Sequence, residues 1–304
     1  MSTSTPIVPP DTADADVASE AGQVSGDPPD RPVIVGVDGS ECGLAAVRWA
    51  AHEAARRKAP LHMVHAATYL GRRGTSGAQP VELTRARHIL GQAFTVARHT
   101  EHDLPASTEV VADDPVGTLL HAAKASQLVV VGSSTTGAAD ELVLAPVAAG
   151  LAARSPEPVV VVPRRRSGTP AGRPVTAVLG IGDPEDDEAV AAFALAAARR
   201  TGVSLTLLQT RSARHTQTQT WLDDPAEWSR REPGVEVHHI ALPRASAGDL
   251  VTAAGPCPLL VLSAGHGNLL HRTLDGPHRW LLRHSTSPLA LIPPVHRREP
   301  EPHE

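Results

Sequence analysis

The sequence predicts an α/β protein built from two tandem doubly wound domains, each a five-stranded parallel sheet flanked by helices. Three observations carry that expectation. Short apolar runs of strand length alternate with longer stretches of helical period. The strand–helix order is sustained, as parallel sheets require. The whole pattern then occurs a second time. With 304 residues the chain can bury two cores of ordinary size.

The elements follow in order. Residues 1–31 are rich in Ala, Asp, Ser, Thr and Pro and lack apolar periodicity, so a disordered tail is expected. In the first domain, 32–163, the runs Val33–Val37, Leu61–Ala66, Thr108–Val111, Leu128–Val131 and Val159–Val162 read as buried strands. Ser40 caps a helix with Leu44, Val47, Ala51 and Ala54 on one face. Ala86, Ile89, Leu90, Ala93 and Ala97 mark a second helix within 80–102. Asp114 and Pro115 open a third, and 142–154 form a fourth. Residues 164–173, rich in Arg, Gly and Pro, read as a linker.

The second domain, 174–294, repeats the series, with strands expected at 175–181, 205–209, 235–240, 259–262 and 289–292 and a helix at 185–201. Residues 295–304 form a charged tail. Leu61 and Leu205 are 144 apart, whereas Val159 and Leu289 are 130 apart. The second copy therefore loses residues between its second and fourth strands, where a shortened or irregular helix is expected around Trp221 and Trp228.

Composition excludes several functions. A net charge of −5 and few aromatic residues argue against nucleic-acid binding. No apolar run is long enough for a membrane helix, and the start lacks a secretory signal, so a cytoplasmic protein is expected. Cys42 and Cys257 stand alone, which argues against a disulfide scaffold or zinc and for buried thiols. The sixteen histidines show no ligand spacing, His238 and His239 would face opposite sides of a strand, and no metal is expected. Asp186 and Asp187 read as helix-start carboxylates favoured by the helix dipole. No nucleophile elbow or activated cysteine is evident, so no enzyme is expected.

Two loops suit a phosphate, because glycines admit close backbone approach and helix N-termini favour anions. They are Val37-Asp38-Gly39-Ser40 after the first strand and the turn from Gly132 to Gly137 after the fourth. Both also read as ordinary strand-to-helix turns, with Asp38 capping its own turn. Val-Gly-Val-Asp-Gly-Ser at 35–40, Val-Val-Val-Gly-Ser-Ser at 129–134 and Pro-Glu-Pro-Val-Val-Val-Val-Pro at 156–163 together resemble the universal stress protein family.

That resemblance implies a stress-response binding or regulatory module with ATP as its ligand. It assigns Asp38 to adenine, with Val37 and Ser40 beside it, and Ala66 next to the base. Gly132, Ser133, Ser134, Thr135 and Ala145 follow as the phosphate loop. Two glycines of the family pattern are replaced here by Thr135 and Ala145, and Pro146 lacks an N–H, which weakens the expected site. In the second copy Gly182 is expected opposite Asp38 and Leu262 opposite Gly132. Gly265 then fits a loop glycine, and Asp275 repels a phosphate. The resemblance also implies pairing of the two domains through their last strands, or a homodimer. The alternative reading is a protein-interaction member with both pockets inactive.

Overall fold

The computed structural model describes residues 31–68, 80–133, 146–163, 172–181, 184–210, 233–242, 245–265, 280–281 and 284–295. The first half runs β1 (Val33–Gly36), α1 (Glu41–Arg57), β2 (Leu61–Ala66), α2 (Pro80–Thr100), β3 (Ala106–Val111), α3 (Pro115–Ala123), β4 (Leu128–Gly132), α4 (Pro146–Arg154) and β5 (Val159–Val162). The second runs β6 (Val175–Leu179), α5 (Pro184–Thr201), β7 (Leu205–Thr210), β8 (Val237–Leu242), α6 (Ala247–Ala254), β9 (Leu260–Ser263) and β10 (Leu289–Ile292).

The ten strands among the described residues form one sheet in the order β3-β2-β1-β4-β5-β10-β9-β6-β7-β8. Each half is parallel within itself. The seam is antiparallel, with Val160 opposite Ala290. Valine, leucine and isoleucine fill the central strands because both faces are covered. Val33, Val35, Leu61, Val175 and Leu205 point into a core shared with α1, α2 and α5. Ile34, Val129, Val131, Leu208 and Leu260 point the other way, into a core shared with α3, α4 and α6.

Local chemistry sets the helix ends. Ser40 caps α1 by accepting from Gly43 N, and Arg56 and Arg57 occupy its last turn, where cations suit the dipole. Asp114 caps α3 by accepting from Gly117 N. Ser246 and Asp249 form a reciprocal capping box on α6. The helix expected over 142–154 is described from Pro146, and the irregular region expected around Trp221 and Trp228 lies outside the described residues.

The two halves also meet through α1 and α5. Glu53, 3 % exposed, accepts from Arg57 Nε at 2.8 Å and from Arg200 Nη2 at 3.1 Å across the junction. Phe193 of α5 lies under the Arg57 guanidinium at 5.4 Å, a cation–π contact. Burial, then the neighbouring Arg57, push the Arg200 guanidinium below its ordinary pKa.

Both cysteines are buried. Burial raises the Cys257 thiol pKa, so little thiolate forms at neutral pH. Cys257 is therefore expected to resist iodoacetamide in the native protein and to react once unfolded. Peptide mapping after native labelling checks this, and prompt labelling would contradict it.

Candidate functional site

The carboxyl ends of β1, β2 and β4 lie at one edge; the chain runs from β1 outward through β2 to β3, then crosses back through α3 to place β4 on the other side of β1. A switch of this kind opens a crevice in doubly wound sheets. Val37 continues β1 with its N–H on Val64 O at 2.9 Å. Asp38 then turns outward and is exposed, and Gly39 takes a φ of 83°, a left-handed conformation suited to glycine.

A short relay follows. Gly43 N donates to Ser40 Oγ at 3.0 Å, and Ser40 Oγ donates to Asp38 Oδ1 at 2.6 Å. Ser40 N donates to the same Oδ1 at 2.9 Å. Asp38 thus closes its turn with one oxygen, while Oδ2 takes no hydrogen bond among the described residues. The capping role and a ligand-facing role coexist in one carboxylate.

Gly132 ends β4 directly against this turn. A Cβ there would lie 2.6 Å from both the carbonyl carbon and oxygen of Cys42, and 2.9 Å from Gly43 N. Only a residue without a side chain lets the first turn of α1 approach so closely. Ser133 follows, its N–H bonded to Val162 O at 2.9 Å. Ala66 closes β2 beside Val111 and is half-buried. The structure therefore gathers Val37, Asp38, Ser40, Ala66, Gly132 and Ser133 at one sheet edge, whereas Ser134, Thr135 and Ala145 lie outside the described residues.

One residue beside this edge was missed from sequence. His65 is buried, and its Nδ1 donates to Val37 O at 2.7 Å, fixing the strand end that carries Asp38. The available signal was its position: Leu61, Met63 and His65 share one face of β2, and the first two are core residues.

The second half corrects three expectations. Val33 faces Leu61 and Val175 faces Leu205, so Gly180, not Gly182, stands opposite Asp38. Ser133 N bonds Val162 O as Ala264 N bonds Ile292 O, so Ser263, not Leu262, stands opposite Gly132, and Gly265 falls opposite Ser134. The helices follow another offset. Ala59 N reaches Ala54 O as Val203 N reaches Ala198 O, which pairs Cys42 with Asp186 and Gly43 with Asp187. The β6–α5 connection is thus two residues longer, which caused the misplacement. Asp275 lies outside the described residues.

Asp186 and Asp187 are more than dipole ornaments on a surface helix. They are 2 % and 1 % exposed. Asp187 accepts from Gly180 N with both oxygens, at 3.0 and 3.1 Å. Asp186 accepts from Ser263 Oγ at 3.1 Å and from Val295 N at 3.0 Å. The halves have exchanged partners: Asp38 faces Gly43 in one, and Asp187 faces Gly180 in the other. In the first half the carboxylate comes from the strand end and is exposed. In the second it comes from the helix and is sealed inside.

Among the described residues no group of three His, Cys, Asp or Glu side chains is placed to hold a metal. His239 Nε2 meets Gln209 Oε1 at 2.7 Å, while His238 lies nearer Glu236 on the opposite face. His284 donates to Trp280 O and stacks on the Trp280 ring. Among the described residues no helix is long and apolar enough to cross a membrane.

Fold and site together define a duplicated doubly wound α/β protein in which, among the described residues, the strand-edge carboxylate of the first half is exposed and those of the second half are buried. Residues 31–163 match the profile of the universal stress protein family. A universal stress protein of Mycolicibacterium smegmatis is 27 % identical over 285 residues, covering 86 % of this chain and 97 % of that one. One from Mycobacterium tuberculosis is 28 % identical over 258 residues, covering 77 % and 87 %. The crystal structure of a universal stress protein from Archaeoglobus fulgidus superposes with a TM-score of 0.69 at 14 % identity, covering 86 % of this chain and 96 % of that one. Residues 31–163 thus match the universal stress protein family, and the chain as a whole is similar to universal stress proteins of comparable length.

Proposed function

We propose that the chain is a cytoplasmic stress-response binding module that holds an adenine nucleotide such as ATP in its first half only. The observation that supports this reading is the exchange of carboxylates. Asp38 and the α1 N-terminus present an open acceptor and a polar turn, while Asp186 and Asp187 occupy the matching space in the second half. In this reading Asp38 takes the base, Ala66 lies flat beside it, and Gly132 with Ser133 leads the phosphates past the first turn of α1. The second half then serves as a pairing partner, seated along β5 and α1.

Binding rather than turnover is the proposal. The described groups at the cleft are one carboxylate, two serine hydroxyls and backbone N–H groups, which hold and orient a polar ligand. The chemistry of an activated nucleophile calls for a base beside it. His65 meets the strand end that carries Asp38, and its Nδ1 is already committed to Val37 O.

Equilibrium dialysis with labelled ATP tests this. The wild type is expected to bind in the micromolar range, and Asp38→Ala to bind at least about tenfold more weakly, the loss of one hydrogen bond to a charged group. No binding by the wild type would favour the alternative, in which both pockets are inactive and the chain acts through protein contacts. Phosphate release that depends on Asp38 would overturn the non-catalytic assignment.

A further inference from the structure

The amino ends of β2 and β3, at the opposite end of the strands from the cleft, bring a serine, a histidine and a carboxylate together. His62 and Ser107 stand directly opposite each other in the β2–β3 ladder, and Glu109 follows on the same face of β3. His62 points away from the core that takes its neighbours Leu61 and Met63. Its Nδ1 meets Ser107 Oγ at 2.8 Å, and its Nε2 meets Glu109 Oε2 at 2.9 Å. An ionised carboxylate only accepts, so Nε2 carries the ring proton. In the neutral ring that leaves the Nδ1 lone pair to accept from the Ser107 hydroxyl. Nucleophile, base and orienting acid are thus bonded in series, the arrangement that activates a hydroxyl. No sequence motif marks it, because His62 and Ser107 are 45 residues apart and meet only across the ladder.

Elsewhere among the described residues these parts are separate. Ser40 and Ser263 donate to carboxylates, and Ser126 and Ser155 donate to backbone oxygens. His52 and His102 each meet a carboxylate but no hydroxyl among the described residues. Access is open as well: Ser107 and Glu109 are exposed, and the His62 side chain is 25 % exposed. β3 also ends the sheet. Leu61 N donates to Pro105 O and Ala67 N to Val111 O, so the odd-numbered backbone groups of β3 turn toward β2. The N–H of Thr108 therefore points outward, and among the described residues no strand pairs with it. The residue after a nucleophilic serine is a common source of an oxyanion donor.

We propose that Ser107, His62 and Glu109 form an acyl-transfer site that hydrolyses small acyl esters with a good leaving group. Ser107 Oγ attacks the ester carbonyl carbon as its proton passes to His62 Nδ1, and the oxyanion takes the Thr108 N–H. The carbonyl then re-forms and the bond to the leaving oxygen breaks. That oxygen takes the proton from His62, which leaves acyl-Ser107 and the free alcohol. Water adds to acyl-Ser107 while giving a proton to His62, and Ser107 Oγ departs with that proton as the acid is released. Glu109 positions the ring through Nε2–H and touches no substrate. One backbone donor on an open strand surface suits an ester rather than an amide, whose leaving nitrogen needs more stabilisation. This inference concerns a different end of the strands from the nucleotide cleft and does not depend on nucleotide binding.

Two probes on the full-length chain test it. Phenylmethanesulfonyl fluoride traps an activated serine as a stable sulfonyl ester, and peptide mass spectrometry is expected to place that label on Ser107. p-Nitrophenyl acetate is expected to be hydrolysed by the wild type, with the rate falling to that of the buffer and surface imidazoles in Ser107→Ala. His62→Gln is expected to slow sulfonylation of Ser107 about 100-fold, the usual scale of a lost general base. Glu109→Ala is expected to slow it about tenfold through a misplaced ring, and Glu109→Gln, whose amide oxygen still accepts, to recover most of that rate. Unchanged thermal midpoints are expected in all four variants, since these side chains lie on an exposed edge. A wild type without label on Ser107 would overturn the proposal. So would ester hydrolysis that survives Ser107→Ala, or sulfonylation of His62→Gln at the wild-type rate.

Discussion

Replacing Glu53 with alanine is expected to destabilise the protein by about 3–5 kcal/mol, the usual consequence of removing one member of a buried ion cluster. The carboxylate accepts from two guanidiniums, Arg57 and Arg200, whose side chains are only 11 % and 18 % exposed. Even with Glu53 present, Arg57 Nη2 and Arg200 Nε are buried without a hydrogen-bond partner. Without it, two like charges would face each other in a poorly hydrated junction. Urea denaturation should show a lower midpoint. The triple change Glu53→Leu, Arg57→Met, Arg200→Met should recover most of the loss, since an apolar cluster of similar volume needs no charge compensation. A single Glu53→Ala change that left the midpoint untouched would show that the junction is not held in this way.

Gly132→Ala is the second large effect, expected at about 1–3 kcal/mol with loss of nucleotide affinity in the same variant. The added methyl would sit 2.6 Å from the Cys42 backbone, and backbone cannot swing aside as a side chain can. The first turn of α1 must retreat, and Gly43, Ser40 and Asp38 move with it because they are bonded in series. Gly91→Ala is the matched control. With nothing within 4 Å of its added carbon, it should stabilise the chain by about 0.5–1 kcal/mol. Thermal melts and ATP binding on both variants check the pair. A neutral Gly132→Ala would mean that β4 and α1 tolerate a looser fit than their geometry implies.

Much of this architecture was legible from the residues. Val159–Val162 ends where the sequence places it, because a run buried on both faces is apolar throughout, and Leu61–Ala66 does so although it carries His62 and His65. β3 was read short, as 108–111. Its first residues, Ala106 and Ser107, lie on an exposed edge strand, where backbone pairing extends beyond the apolar pattern. The duplication was also legible, but not its register. Ala106 and Val237 are 131 apart, so the residues lost in the second copy fall between its second and third strands.

The buried polar groups were less accessible. Glu53 and Arg57 form a visible pair four residues apart, but Arg200 joins them from 147 residues away. Asp186 and Asp187 look like any acidic helix start. Asp186 is met by Ser263 and Val295, which only the folded sheet brings near, and Asp187 by Gly180 across the β6–α5 turn. Sequence spacing reports local geometry well and distant polar partners poorly.

The antiparallel seam between β5 and β10 makes one further consequence unavoidable. Two subunits joined edge to edge part company on dilution, but here both edges belong to a single molecule, and no drop in protein level can separate them. The copies were also freed from being identical: one leaves Asp38 exposed, and the other seals Asp186 and Asp187 inside. The proposed nucleotide site would then be filled once per chain, not once per half.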